Sequence, residues 1–240
     1  MIAFLNSIIS VIVEFIVKKP FVQKKIKGKN AKRIIDLYST TPYTRNFVKF
    51  RFWFGPILEI DALTPKKGLI LDIGSGEGIL ANYLAISSPE RKIIGVELNK
   101  DRVKEATKGI RNIKFINKSA LTAKLPKASA IVVSHVFHHL GSKQKQENLI
   151  KKIYKNLKPG GRVIVGEVDK EFSLRYLFGY IVDIILVPIF FEKKILDLKI
   201  YHKGKKEWVK LFEENDFKIV HIKNTIDRIY PEVLFVLTKK

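Results

Sequence analysis

The chain has 240 residues, with 45 Lys and Arg against 23 Asp and Glu, a formal net charge of +22. That balance favours anionic partners, nucleic acid or an acidic lipid surface, and says nothing about fold. With 46% apolar and 28% charged residues the chain is neither a disordered tail nor a simple membrane bundle. Having no cysteine, it has no disulfide, thiolate metal site or cysteine nucleophile.

Residues 2–17 are nearly all apolar, and their polar members Asn6, Ser7, Ser10 and Glu14 fall on one helical face. The run is shorter than the ~20 residues that span a bilayer, and it lacks the flanks of a signal peptide. Residues 18–33 follow with eight positive charges and no acid. An apolar helix beside a polybasic arm suits an anionic membrane surface, and equally a helix packed on the domain or on a partner. The stretch 31–64 combines helical spacing with Tyr38, Tyr43, Phe47, Phe50, Phe52, Trp53 and Phe54.

From residue 65 the pattern alternates. Strands are expected at 69–73, 92–97, 113–116, 130–134 and 162–168. Helices are expected at 79–86, 100–107 and 143–157, the last stopped by Pro159 and two glycines. Continuous apolar strands between helices imply a parallel sheet covered on both faces. Residues 170–204 break the rhythm with an apolar run at 178–191 containing Asp183 and Pro188. A helix at 205–215 and strands near 218–222 and 233–238 end the chain. The expected organisation is therefore a cap at 1–64, a core at 65–169, an insertion at 170–204 and a closing unit at 205–240.

Residues 71–78 read Leu-Asp-Ile-Gly-Ser-Gly-Glu-Gly. Glycines at the end of a strand let the backbone turn sharply and approach a ligand. A dinucleotide would set its pyrophosphate against the following helix. Asp72 and Glu77 oppose that anion and suit a ligand carrying an ammonium and a sulfonium. Glu97 closes the second strand about 20 residues beyond the glycines, where a carboxylate can accept both ribose hydroxyls.

On these residues the chain resembles the class I S-adenosylmethionine-dependent methyltransferases, especially their small-molecule, quinone-biosynthesis-like branch. Residues 71–78 resemble the family's first motif. Residues 130–140, Ala-Ile-Val-Val-Ser-His-Val-Phe-His-His-Leu, resemble its fourth-strand motif, and 157–165 its fifth-strand motif. Trp208 and the Asn-Asp-Phe at 215–217 resemble its final helix and hairpin. The resemblance implies a Rossmann-like α/β fold, with a seven-stranded, mostly parallel sheet, an antiparallel last strand and helices on both faces.

It also implies S-adenosyl-L-methionine as cofactor. Asp72, Gly74, Ser75, Gly76 and Gly78 would surround its methionine end. Glu97 would take the ribose and Leu98 would pack on the adenine. Ser119, which replaces the family's usual acid, and Ala120 would lie by the adenine, and Ser134 would line the methyl-donor side.

His135, His138 and His139 cluster beyond the fourth strand, and three of the five histidines of the chain are thus near where an acceptor should arrive. His135 is the candidate general base. No metal site is expected. The apolar segments outside the core imply a hydrophobic small-molecule or lipid-like acceptor. The chain would then be cytoplasmic, peripheral on the inner membrane surface. An RNA methyltransferase, favoured by the charge, and a non-catalytic protein that retains the fold are the alternatives.

Overall fold

The computed structural model describes residues 26–171, 173–186, 200–225 and 231–240. The apolar run at 2–17, most of the basic arm and Pro188 lie outside them.

Seven strands form one sheet: β1 (Gly68–Ile73), β2 (Arg91–Glu97), β3 (Ile113–Asn117), β4 (Ala128–Ser134), β5 (Leu157–Val168), β6 (Phe217–Thr225) and β7 (Glu232–Lys239). Their order is β3-β2-β1-β4-β5-β7-β6. Strands β1 to β5 pair in parallel. Strand β7 runs antiparallel to both its neighbours. This is the Rossmann-like sheet that the motif order implied.

The apolar strands are buried on both sides because helices cover both. On one face Leu71, Ile73, Val96, Ile131 and Val133 pack with Leu149 and Ile153 of α6 (Lys143–Asn156) and with Trp208 and Phe212 of α8 (Lys205–Glu213). On the other, Ile70, Ile93, Val132 and Ile164 meet Ala81 and Leu84 of α4 (Ile79–Ser87) and Ile60 of α3 (Ile57–Leu63). The second crossover carries the short helix α5 (Lys100–Ala106), capped by Asn99. The strand order reverses between the parallel neighbours β1 and β4, and the crevice beyond their C-terminal ends is where open α/β sheets bind ligands.

Several expected boundaries shift, two of them instructively. Helix α6 ends at Asn156, and Leu157 already pairs with Ala128 in the sheet. Lys158 precedes a proline, which disfavours helical backbone there, so the strand takes up the Pro-Gly-Gly run that was expected to lie outside it. Helix α8 stops at Glu213, two residues early.

The N-terminal segment forms α1 (Lys29–Leu37) and α2 (Pro42–Phe54). Thr41 and Thr44 close a reciprocal cap at the start of α2. Ile34, Ile35, Tyr38, Val48 and Phe52 pack on Ile79 and Tyr83 of α4. Phe52 meets the Tyr83 ring edge-on at 5.4 Å. The aromatic stretch, expected as a pocket cover, thus supplies core residues as well.

Arg91, fully buried at the opposite end of the sheet, ties that end together. Its guanidinium donates to Asp61, Ser87 and the carbonyls of Leu84, Thr64 and Pro65. Burial would raise the Asp61 carboxyl, but Ser87 and Arg91 hold it below the usual carboxylate range.

Candidate active site

The glycine loop after β1 turns under tight constraint. Gly74, Gly76 and Gly78 all have positive φ, at 68°, 54° and 74°. A Cβ on Gly74 would come within 2.4 Å of the Val136 side chain, so the loop must lie against the turn after β4. Gly76 differs, since a Cβ there would meet nothing within 4 Å. The Gly74 and Ser75 amides donate to the Val96 carbonyl, which folds the loop toward β2.

Two carboxylates flank this loop. Asp72 is 2% exposed, and its Oδ2 has no hydrogen-bond partner. Burial, reinforced by the charge of Glu97, raises its carboxyl to about 7. Glu97 accepts from the Gly76 amide at 3.0 Å and from the Asn99 amide at 2.8 Å. The Ser75 hydroxyl is also buried and unpartnered. A cation beside Asp72 would relieve its desolvation, and an anion would deepen it. The donor set therefore fits an ammonium and sulfonium ligand and not a pyrophosphate.

Glu77, expected to share this role, does not. It forms an ion pair with Arg102 at 3.3 Å, so its charge is already compensated. The Leu98 side chain is 70% exposed on the rim, and Asn117 fixes its carbonyl at 2.7 Å. Ser119 accepts from the Leu121 amide at 3.3 Å, which makes it a cap for its own turn. Ala120 packs partly buried against the core. Ser134 ends β4 opposite Gly166 of β5.

The N-terminal segment reaches this loop. Tyr38 Oη donates to the Glu77 carbonyl at 2.6 Å and accepts from Asn82 at 2.7 Å. Nothing in the sequence tied Tyr38 to the loop 39 residues away. Tyr38→Phe should lower stability by about 1–2 kcal/mol, as two partly buried bonds are lost, and should weaken cofactor binding. Denaturant titration and calorimetry check both.

The histidines divide into different roles. His135 takes a left-handed backbone at φ 55°, which is rare without glycine. Its Nε2 lies 2.9 Å from Oε1 of Glu232, a buried carboxylate at the start of β7. His138 is buried, with Nδ1 on Oε2 of Glu167. Oε1 of the same carboxylate accepts the Val136 and Phe137 amides, so Glu167 caps the short 3₁₀ turn Phe137–Leu140. Burial opposes charge on His138, but Glu167 and then Asp183 outweigh it and hold the imidazole above its usual range. His139 is driven to about 3 by burial and the neighbouring His138, and stays neutral. Glu167 and Glu232 sit in apolar strand runs, 29 and 97 residues from their histidine partners, so local pattern gives no sign of either.

A family model described as a methyltransferase domain matches residues 46–222. The chain belongs to this methyltransferase family. S-adenosylmethionine is its cofactor.

O-methyltransferase 12 of Dictyostelium discoideum is 24% identical over 179 residues, covering 73% of this chain and 45% of that protein. The carboxy-S-adenosyl-L-methionine synthase of Nautilia profundicola is 26% identical over 190 residues, covering 67% of this chain and 80% of that one. The chain thus spans less than half the length of the first relative and most of the second. Among solved structures, magnesium protoporphyrin IX methyltransferase of Synechocystis PCC 6803 with bound SAH superposes with a TM-score of 0.63 at 16% identity, covering 91% of this chain and 98% of that one. At that identity the likeness is one of fold.

Proposed function

We propose that the chain transfers a methyl group from S-adenosylmethionine to a hydroxyl of an apolar small molecule, with Asp72 and Glu97 as cofactor carboxylates and His135 as general base. The observation that carries the reading is the buried, unpartnered Oδ2 of Asp72 at the end of β1, two residues before the first glycine of the loop.

In this reading Asp72, Gly74, Ser75, Gly76 and Gly78 hold the methionine end, Glu97 the ribose, and Leu98, Ser119 and Ala120 the adenine. Ser134 lines the methyl-donor side. When bound, S-adenosylmethionine supplies an electrophilic methyl on a positively charged sulfur. The remaining demand is alignment of the acceptor and removal of its proton. The Glu232 carboxylate accepts from Nε2–H of His135, which fixes the tautomer and orients the ring. The imidazole then takes the acceptor proton, and Glu232 stabilises the resulting imidazolium.

The apolar acceptor is supported by the insertion. Helix α7 (Leu174–Ile181) and the π-turn Val182–Leu186 expose Leu174, Leu177, Phe178, Ile181 and Ile185. An exposed apolar surface of this kind marks a binding face. Lys29, Lys32 and Arg33 are exposed on α1, which supports peripheral attachment to an anionic membrane on the cytoplasmic side. Among the described residues no helix is long and apolar enough to cross a membrane.

The test is methyl transfer from labelled cofactor into three acceptor pools: a lipid extract, a polar metabolite extract and total RNA. Label in the lipid pool, lost with His135→Gln, supports the reading. Label confined to RNA would replace it with the nucleic-acid alternative. Cofactor binding without transfer to any pool would favour a non-catalytic protein.

A further inference from the structure

Beside the 3₁₀ turn, three side chains from separate segments converge on one point: His138, Asp183 of the π-turn, and His202 of the return segment. One ligand atom from each lies within 4.8 Å of the other two. His202 Nε2 is 3.1 Å from Asp183 Oδ2, and His138 Nε2 is 3.9 Å from the same oxygen. The segment carrying His202 is held in place by the Tyr201 amide, which donates to the His138 carbonyl at 2.9 Å, and by Gln146, which bonds the Tyr201 carbonyl.

The decisive atom is His138 Nε2. The residue is 1% exposed, and this nitrogen is buried without a hydrogen bond. Its other nitrogen is engaged by Glu167, so the ring cannot turn away without giving up that contact. A divalent cation set between the three side chains would use the Nε2 lone pair, which no protein group reaches within hydrogen-bond distance, and would lie against the Asp183 carboxylate.

We propose that His138, Asp183 and His202 bind a divalent cation of the zinc class. Two imidazoles and one carboxylate suit zinc and its first-row neighbours. The outer contacts match such a site, since Glu167 orients His138 through Nδ1 and Tyr176 Oη lies 3.2 Å from His202 Nδ1. Bonds of about 2.0–2.2 Å in a tetrahedral site set ligand atoms about 3.4 Å apart, so the 3.1 Å pair would open slightly and the wider ones would close by about 0.5–1.4 Å. Three protein ligands leave a coordination position for water or for an oxygen of a bound molecule. The ion would clamp the π-turn and the return segment onto the turn after β4. The inference stands on this cluster alone and does not depend on methyl transfer.

The sequence hides the site because its ligands are spaced over 64 residues with no local metal pattern.

The test is titration of chelator-treated, untagged protein with Co²⁺, read by its visible absorption bands, followed by displacement with Zn²⁺. One equivalent should bind, and Zn²⁺ should raise the melting temperature. Asp183→Asn and His202→Gln should each weaken binding at least tenfold and abolish the thermal shift, while His221→Ala on exposed β6 should change neither. Absence of saturable binding to the unaltered protein overturns the proposal. So does binding that survives both ligand substitutions, or that disappears with His221→Ala.

Discussion

Asp72→Asn is expected to weaken cofactor binding sharply and at the same time to stabilise the unliganded protein. Removing one partner of a buried charge pair costs about 2–5 kcal/mol, so the affinity should fall by at least ~30-fold. The stabilisation follows from the carboxyl's position at about 7, raised by burial and then by Glu97. A folded-state value above the ordinary 3.8 means that the folded chain holds a proton the unfolded chain has released. The Asp72 contribution therefore favours folding at low pH and weakens as pH rises from about 4 to about 7. Above 7 its whole penalty, a few kcal/mol, is present. An amide carries no such penalty. At pH 8 the unliganded variant should melt several degrees above the parent, and at pH 4 the difference should disappear.

The same ionisation sets the pH dependence of binding. A cationic ligand prefers the ionised carboxylate, so affinity should rise roughly tenfold from pH 6 to pH 7.5 in the parent, as expected for one group titrating near 7. In Asp72→Asn the residual affinity should be flat over that range. Calorimetry at several pH values, with thermal melts of the unliganded proteins, reads both effects. A variant that binds as well as the parent would remove Asp72 from the site. A variant that melts lower at pH 8 would mean that the Asp72 carboxylate has a stabilising partner in solution.

His135→Gln is expected to lower kcat by about 10²–10⁴-fold, the usual contribution of a positioned general base, while leaving the cofactor affinity within a factor of about two. The split matters because His135 also holds a left-handed backbone and contacts Glu232. A purely structural role would lower stability and affinity together. Glu232→Gln should cost less, roughly tenfold, because the ring loses orientation and imidazolium stabilisation but keeps its basic nitrogen. A pH–rate profile whose acidic limb moves in Glu232→Gln would tie that limb to the imidazole acting as base. Full activity in His135→Gln would leave alignment alone as the source of catalysis.

The sheet was legible because its strands are short apolar runs ended by glycine, proline or charge, and such runs need cover on both faces. Residues 69–73 and 130–134 announce central parallel strands without any partner in view. The placement of the two carboxylates that flank the glycine loop was legible for a related reason. Asp72 and Glu97 sit at strand ends, and neighbouring parallel strands bring their ends to one edge. Local chemistry and strand position together were therefore enough to bring Asp72, the glycines and Glu97 to one place.

What the sequence could not decide was which charges are compensated. Glu77 and Asp72 look alike in the chain, yet Arg102 neutralises one while the other is buried without a partner. Glu167, Glu232 and Tyr38 find their partners between 29 and 97 residues away. The gathering of His138, Asp183 and His202 joins three segments far apart along the chain: the turn after β4, the π-turn and the segment before α8. Periodicity and motifs report on neighbours along the chain and on the pleat of a strand. Burial, pairing and the ionisation of buried groups depend on contacts across the chain, and only the tertiary structure decides those.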